Sequence, residues 1–242
     1  MYNFPYYKEK DENVVLDFIQ KHPFAFITGC DENNKPVATQ IPVFIEKKDD
    51  KLLLTGHMMK NTDHHKAFEK NPAALCVFTG PHTYVSATWY SNPHQASTWN
   101  YMSVHAKGTL RFLGEEELIE VLRKTSLHFE NRNTASSTSF DNLSEEYTSR
   151  LMKAIVAFEI EVEELDTVFK LSQNRDEESY HNIIQKLETG DADSAAIASF
   201  RRCEYPRRRH IRRRATARST GGRLAGRAWP RDPASRPARV TA

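Results

Sequence analysis

Cysteine is scarce in this chain: three residues in 242, Cys30, Cys76 and Cys203, far apart and odd in number. Without a CxxC or a Cys/His ligand spacing, neither a disulfide framework nor a zinc knuckle is expected, and a reducing cytoplasm is the expected compartment. No stretch approaches eighteen apolar residues, so no membrane-spanning helix is expected. The opening MYNFPYYKEKDENV has no basic region followed by an apolar run and does not read as a secretory signal. GxGxxG, GxxxxGKS/T and GxSxG are all missing, as is a βα rhythm, which removes the dinucleotide-fold, P-loop and serine-hydrolase readings. Residues 1–200 contain no helix-turn-helix pair. His57, His64, His65, His82, His94 and His105 stand at no recognisable ligand spacing, so no metal site is expected. What remains is an ordinary globular composition, 39% apolar and 10% aromatic, enough for one generous domain or two small ones.

The net charge of +2 conceals two unlike segments. Residues 1–200 carry 20 Lys+Arg against 30 Asp+Glu, a net of −10, with Lys over Arg by 15 to 5. Residues 201–242 carry 14 Arg, no Lys and two acids, a net of +12. The division drawn is a folded domain over 1–198 and a disordered Arg-rich tail over 199–242, which has no apolar periodicity. Two readings of the tail stand. Clustered arginine would serve as a nucleic-acid arm. The abrupt switch to Lys-free usage instead suggests a segment foreign to the domain, from GC-rich DNA read through by frameshift or from a vector.

Within the domain, residues 11–22 place Val14, Val15, Phe18 and Ile19 on one helical face, and Pro23 closes the helix. FAFITGC, PVATQIPVFIEKK and KLLLTGH follow as three strands of a meander, with turns at DENNK and KKDDK. The second strand sets Val37, Thr39, Ile41, Val43 and Ile45 on one face against Ala38, Gln40, Pro42 and Phe44 on the other. NTDHHKAFEK reads as a short helix with Asn61 as N-cap, ended by Asn71-Pro72. AALCVFTG is a buried strand, with a turn expected at Pro81. Tyr84–Tyr90 and Trp99–Leu113 supply more strand around the polar loop SNPHQAS. Helices are expected in GEEELIEVLRKTSLHFE, SEEYTSRLMK and DEESYHNIIQKLE, with the strand AIVAFEIEVEEL before the last. Six or seven short strands at hairpin spacing with few helices predict a mainly β, α+β fold: an antiparallel barrel with peripheral helices.

Five strings in order carry a resemblance: ATQIPVF (Ala38 to Phe44), TGHMMKNT (Thr55 to Thr62), GPHTYVSATWY (Gly80 to Tyr90), STWNYMSVHAKG (Ser97 to Gly108) and FKLSQNR (Phe169 to Arg175). Over residues 1–198 the chain resembles the PaiB-type FMN-binding negative transcriptional regulators, relatives of the pyridoxamine-phosphate-oxidase-like split barrels. The loop before TWNY departs from that pattern, reading HQAS in place of an apolar Val-Pro pair, and the tail has no counterpart in it. The resemblance implies a split β-barrel homodimer with FMN at the subunit interface and a regulatory role. A flavin-dependent oxidoreductase acting on a small molecule is the alternative, and a haem-handling barrel a third. The acidic domain speaks against direct DNA contact by the domain itself.

FMN presents a dianionic phosphate, a polyol and a flat, partly apolar ring, so its site needs cations, aimed donors and an apolar face. With the resemblance, His57, Lys60 and Asn61 stand where a strand gives way to a helix, Lys60 pairing with the phosphate and Asn61 capping the helix and lining the site. On spacing alone, Lys60 reads first as a solvated surface lysine and Asn61 as a simple cap. Thr39, Gln40, Ile41 and Pro42 would lie beside the ring, chiefly through backbone groups, since proline suits a strand open to a ligand; Ile41 and Val43 as core is the competing reading. Trp99 and Tyr101 share one strand face with Asn100 opposite, to cover the flavin or pack an interface, or else to fill the core. Lys170, Ser172, Gln173, Asn174 and Arg175 form a polar, non-regular stretch read as a second flavin contact, from the partner subunit in one version; a helix-capping linker is the alternative.

Overall fold

The computed structural model of the protein describes residues 1–202. The expectation of a disordered tail falls on residues outside that range, apart from its first few positions. Met1–Ser199 forms one compact unit.

Among the described residues, six antiparallel strands close a barrel in the order β1-β2-β3-β6-β5-β4. Helix α1 (Glu12–Lys21) is capped by Asp11, whose side chain accepts from Asn13 N. It leads into the meander β1 (Phe24–Cys30), β2 (Pro36–Lys48) and β3 (Lys51–Met59). Asp49 and Asp50 make the two-residue turn between β2 and β3, both at positive φ (48° and 62°), the backbone a tight hairpin requires. Helix α2 (Asp63–Lys70) follows, then β4 (Ala73–Val85), β5 (Thr98–Phe112), α3 (Glu115–Phe129), α4 (Glu145–Ala154), β6 (Ile155–Lys170) and α5 (Glu177–Glu188). A further helical stretch begins at residue 192.

The barrel interior is apolar and closed to water: Ile27, Val43, Leu54, Phe78, Val104, Phe158 and Ile160 are fully buried. At roughly 1.5–3 kcal/mol for each large side chain taken from water, this interior is the main source of stability. Outside the barrel, α3 lays Leu118, Val121 and Leu122 over Ile155 and Ala157 of β6, as its amphipathic pattern predicts.

Several local expectations are corrected. Thr62, not Asn61, caps α2: Thr62 is extended (φ −75°, ψ 166°) and its hydroxyl accepts from His65 N, while Asn61 sits in the left-handed region at φ 64°. Pro81 does not end a strand; it lies inside β4, where the register with β5 shifts between Thr79 and His82. Such a bulge tolerates a residue without an N–H. Strand structure stops at Val85, and Ala87–Trp89 is a single 3-10 turn. The last strand runs on through Lys170, so Phe169 and Lys170 are ladder residues and the non-regular stretch starts only at Leu171. The strands are also longer than expected, 15 residues in β5 and 16 in β6.

Two testable consequences follow from this packing. Gly108 sits at a β5–β6 register shift, where an added Cβ would lie 1.9 Å from the Glu161 carbonyl oxygen. Gly108→Ala is expected to cost about 1–3 kcal/mol and lower the thermal midpoint by roughly 5 °C; an unchanged midpoint would show that the strands part freely there. Burial holds His22, His57 and His105 below the ordinary histidine pKa. The unfolded chain therefore binds protons first as pH falls through about 6.5, and stability present above that pH is lost below it. Denaturant midpoints at pH 7.5, 6 and 5 should fall in that order, with a shallower decline in His57→Gln.

Candidate functional site

The pairing of β2 with β3 runs from Lys48↔Lys51 to Val43↔Gly56 and stops there. Toward its N-terminus β2 continues against β1 alone, Pro36–Pro42 facing Cys30–Phe24. Onward from Gly56, β3 continues against β6 alone, His57–Met59 facing Ala157–Ile155. The barrel wall thus forks, leaving one backbone edge of β2 at Thr39–Pro42 without a strand beside it among the described residues. Gly56 stands at the crotch: a Cβ there would meet the Phe158 ring at 2.7 Å and the Pro42 carbonyl oxygen at 2.9 Å. No residue larger than glycine fits that close approach.

The fork collects one group of the expected residues. On β2, Thr39 and Ile41 alternate toward the interior, half-buried, while Gln40 and Pro42 take the outer face. Opposite them, His57 is half-buried, and burial keeps its imidazole neutral at ordinary pH. Lys60 N donates to Ala154 O at 2.8 Å, pinning the turn that carries the half-buried Lys60 and the exposed Asn61 to the head of α2. Around this outer face stand Phe24 (55% exposed), Phe26 (44%), Met59 (54%) and Phe129 (54%). Exposed apolar side chains of this kind, where they adjoin, form surfaces that partners cover.

The second group gathers where β5 begins and β6 ends. Trp99 is exposed, edge-on to Tyr84 with ring centroids 6.1 Å apart, while Asn100 on the opposite face is fully buried. Ser172, at φ 56°, donates from Oγ to Asn100 Oδ1 at 2.8 Å. Asn100 Nδ2 has no partner among the described residues, an unmet donor that costs free energy unless something accepts from it. Lys170 Nζ donates to Thr98 Oγ1 at 2.6 Å and lies 5.3 Å from the centre of the Tyr2 ring. Burial, then the neighbouring Arg175 charge, pulls the Lys170 pKa down; burial, then Tyr2, pushes the Tyr101 hydroxyl up. The Arg175 guanidinium stacks on Tyr90 at 4.1 Å and donates to Gln95. Gln173 has a structural task, donating from Nε2 to the carbonyls of Tyr6 (2.8 Å) and Phe169 (2.6 Å). Asn174 is exposed.

No hydrogen bond, ion pair or ring contact joins the two groups among the described residues; within one chain they are separate places. The sequence reading missed the exposed apolar Phe24, Phe26, Met59 and Phe129 and the partners Thr98 and Gln95. The first four sit in apolar runs or amphipathic helix, where core is the simpler reading. Thr98 and Gln95 carry no local signal at all.

Residues 1–164 match the family described as "Putative FMN-binding domain". The chain is 35% identical over 199 residues to "Protease synthase and sporulation protein PAI 2" of Bacillus subtilis (strain 168), covering 81% of this chain and 93% of that protein. It is 26% identical over 172 residues to an uncharacterized protein of Emericella nidulans, covering 59% and 68% respectively. The solved FAD and haem binding protein from Mycobacterium smegmatis shares the fold, with a TM-score of 0.50 at 16% identity over 67% of this chain and 73% of that one. With a family match over its first 164 residues and that degree of identity to PAI 2, the chain belongs to the PaiB-type FMN-binding family of split-barrel proteins.

Proposed function

We propose that this protein is an FMN-binding regulator that works as a homodimer with the flavin at the subunit interface. The observation that carries the reading is the fork between β2 and β3. It sets an open backbone edge at Thr39–Pro42 across from His57, with Lys60 and Asn61 at its mouth. Free N–H and C=O groups on a strand edge suit the polar edge of an isoalloxazine ring, and a lysine beside a helix start suits a phosphate. Bound FMN would supply redox chemistry; the chain's own part is to bind, orient and shield it. His57, neutral and half-buried, would offer the ring a hydrogen-bonding group without adding charge.

The dimer reading draws support from the exposed apolar ring around the fork and from the separation of the two residue groups. A partner barrel laid against Phe24, Phe26 and Met59 would remove them from water and would bring its own Trp99 and Lys170–Arg175 segment toward the fork. Asn100, Ser172 and Gln173 then act mainly by shaping that segment. The regulatory part rests on family membership. The −10 charge of residues 1–200 favours an indirect effect over direct DNA contact by the domain. No helix among the described residues is long and apolar enough to cross a membrane, and the unpaired Cys30 and Cys76 suit the cytoplasm.

Protein purified with its cofactor, or mixed with FMN, should absorb near about 370 and 450 nm. Lys60→Ala should weaken FMN binding about tenfold, the loss of one charge-assisted hydrogen bond; an unchanged dissociation constant removes Lys60 from the site. For the dimer, sedimentation velocity should give twice the chain mass for the wild type and a monomer for Phe26→Glu. A monomeric wild type would end the interface reading. Oxidation of NAD(P)H by the FMN-loaded protein would favour the oxidoreductase alternative.

A further inference from the structure

Alternation along β1, β4 and β5 sorts their side chains into two faces. Ala25, Ile27, Cys76, Phe78, Val104 and Ala106 point into the barrel and are fully buried. The residues between them point outward, and the ladder registers line them up across the wall. One outward row runs Gln40, Phe26, Val77, His105, Asp166, crossing from β2 to β6. The row beside it sets Thr28 and Leu75 next to Lys107 and Glu164. Phe24, opposite Pro42, carries the apolar part on toward the fork. Phe24 and Phe26 are largely in water, and Leu75 and Val77 are only half-buried.

The charges at the β5–β6 end of these rows are matched. Lys107 Nζ donates to both carboxylate oxygens of Glu164, at 3.0 and 3.1 Å, and Lys8 is paired with Asp166. An apolar centre with a neutral rim has nothing to hold a strongly charged partner, whereas a second copy brings the same centre and the same rim. His105 stands within this face, half-buried, with Val77 on one side and Asp166 on the other. The charged groups that act on it are Asp166 from β6, Lys107 from its own strand, and Lys8 and the Met1 amine from the N-terminal segment. From β4 and β1 the same row presents only Val77 and Phe26. Asp166 is the one acid among these groups, and Lys8 already engages it. Burial, and after it the Met1 amine, holds the His105 pKa below its ordinary value.

We infer that His105 makes the pairing of two copies pH-dependent: the neutral imidazole lets the Phe26–Val77 face close against its counterpart, and a proton on the ring opens it. Closing the face takes water from the ring. A neutral imidazole tolerates that loss, but an imidazolium beside Lys107 and Lys8, with Asp166 already taken, does not. The separate chain keeps the ring partly in water and binds the proton more readily than the dimer does. Acid therefore favours the separate chains, by linkage. The dimer is fully favoured above the ordinary histidine pKa of about 6.5 and weakens as pH falls below it. Two-fold symmetry places one His105 from each copy in the interface, so both titrate against the same equilibrium. The inference rests on the dimer proposed above and adds its control.

Sedimentation velocity of the full chain over a concentration series, at pH 7.5 and pH 5.5, gives the dimer dissociation constant, with circular dichroism checking the fold at each pH. For the wild type the constant should rise about tenfold or more at the lower pH, the effect of one unit of pKa difference between dimer and separate chain. In His105→Gln, which cannot take the proton, it should not change. His105→Lys, charged at both values, should dissociate already at pH 7.5 while keeping the wild-type fold. A dimer whose constant is the same at both pH values overturns the inference and leaves the dimer standing, as does an equal weakening of the wild type and His105→Gln. A wild type that is monomeric at pH 7.5 removes the dimer and the inference together. If acid unfolds the chain before pH 5.5, His105→Lys decides at pH 7.5, where a wild-type constant overturns the inference; if His105→Lys does not fold, the comparison with His105→Gln decides.

Discussion

The approach of Gly56 to the Pro42 carbonyl and the Phe158 ring is the constraint on which the rest of this barrel turns. With contacts of 2.7 and 2.9 Å waiting for any Cβ, β2 and β3 can come together there only through glycine. Up to that point they pair residue by residue, and beyond it each strand keeps only its other neighbour. The fork is therefore built into the wall of the barrel, with a free backbone edge on one side and a helix-bound turn on the other. A closed barrel normally leaves no edge exposed; here one is kept open beside a lysine, a neutral histidine and a ring of exposed apolar side chains.

The opposite character of the two residue groups follows from where they sit on the strands. The fork group lies mid-wall, where backbone geometry supplies the polar groups and side chains supply the apolar surround. The Lys170–Arg175 group lies where β6 runs out of partners. Ser172 turns the chain at a positive φ, Asn100 is tied beneath it, and long cationic side chains reach back over aromatic rings. One place is rich in shape and backbone donors, the other in charge. A flavin carries both needs in one molecule.

Much of this was readable in the residues. Alternation in PVATQIPVFIEKK separated the inward Thr39 and Ile41 from the outward Gln40 and Pro42, and Asp49-Asp50 marked a tight turn. The amphipathic spacing of Leu118, Val121 and Leu122 foretold the helix that covers Ile155 and Ala157. The misreadings have one cause. Asn61 looked like a cap, Pro81 like a strand end and Lys170 like loop, because local preference favoured each; pairing with a distant strand or helix decided otherwise. The exposure of Phe24 and Phe26 was not legible because an apolar run does not tell which of its faces is covered.

Sequence alone determined the alternating faces, the amphipathic helices, the tight turns, the division of charge between domain and tail, and the family. These properties depend on neighbours within a few residues or on strings whose order survives without coordinates. Only the tertiary structure decided where β2 and β3 part and which aromatics stay in water. It also decided that Phe26, Val77, His105 and Asp166 share one row of the outer wall. Those outcomes depend on pairings across the chain, as between Tyr101 and Lys170, 69 residues apart and opposite each other in the ladder. No local preference encodes such a distance; the closure of the barrel does.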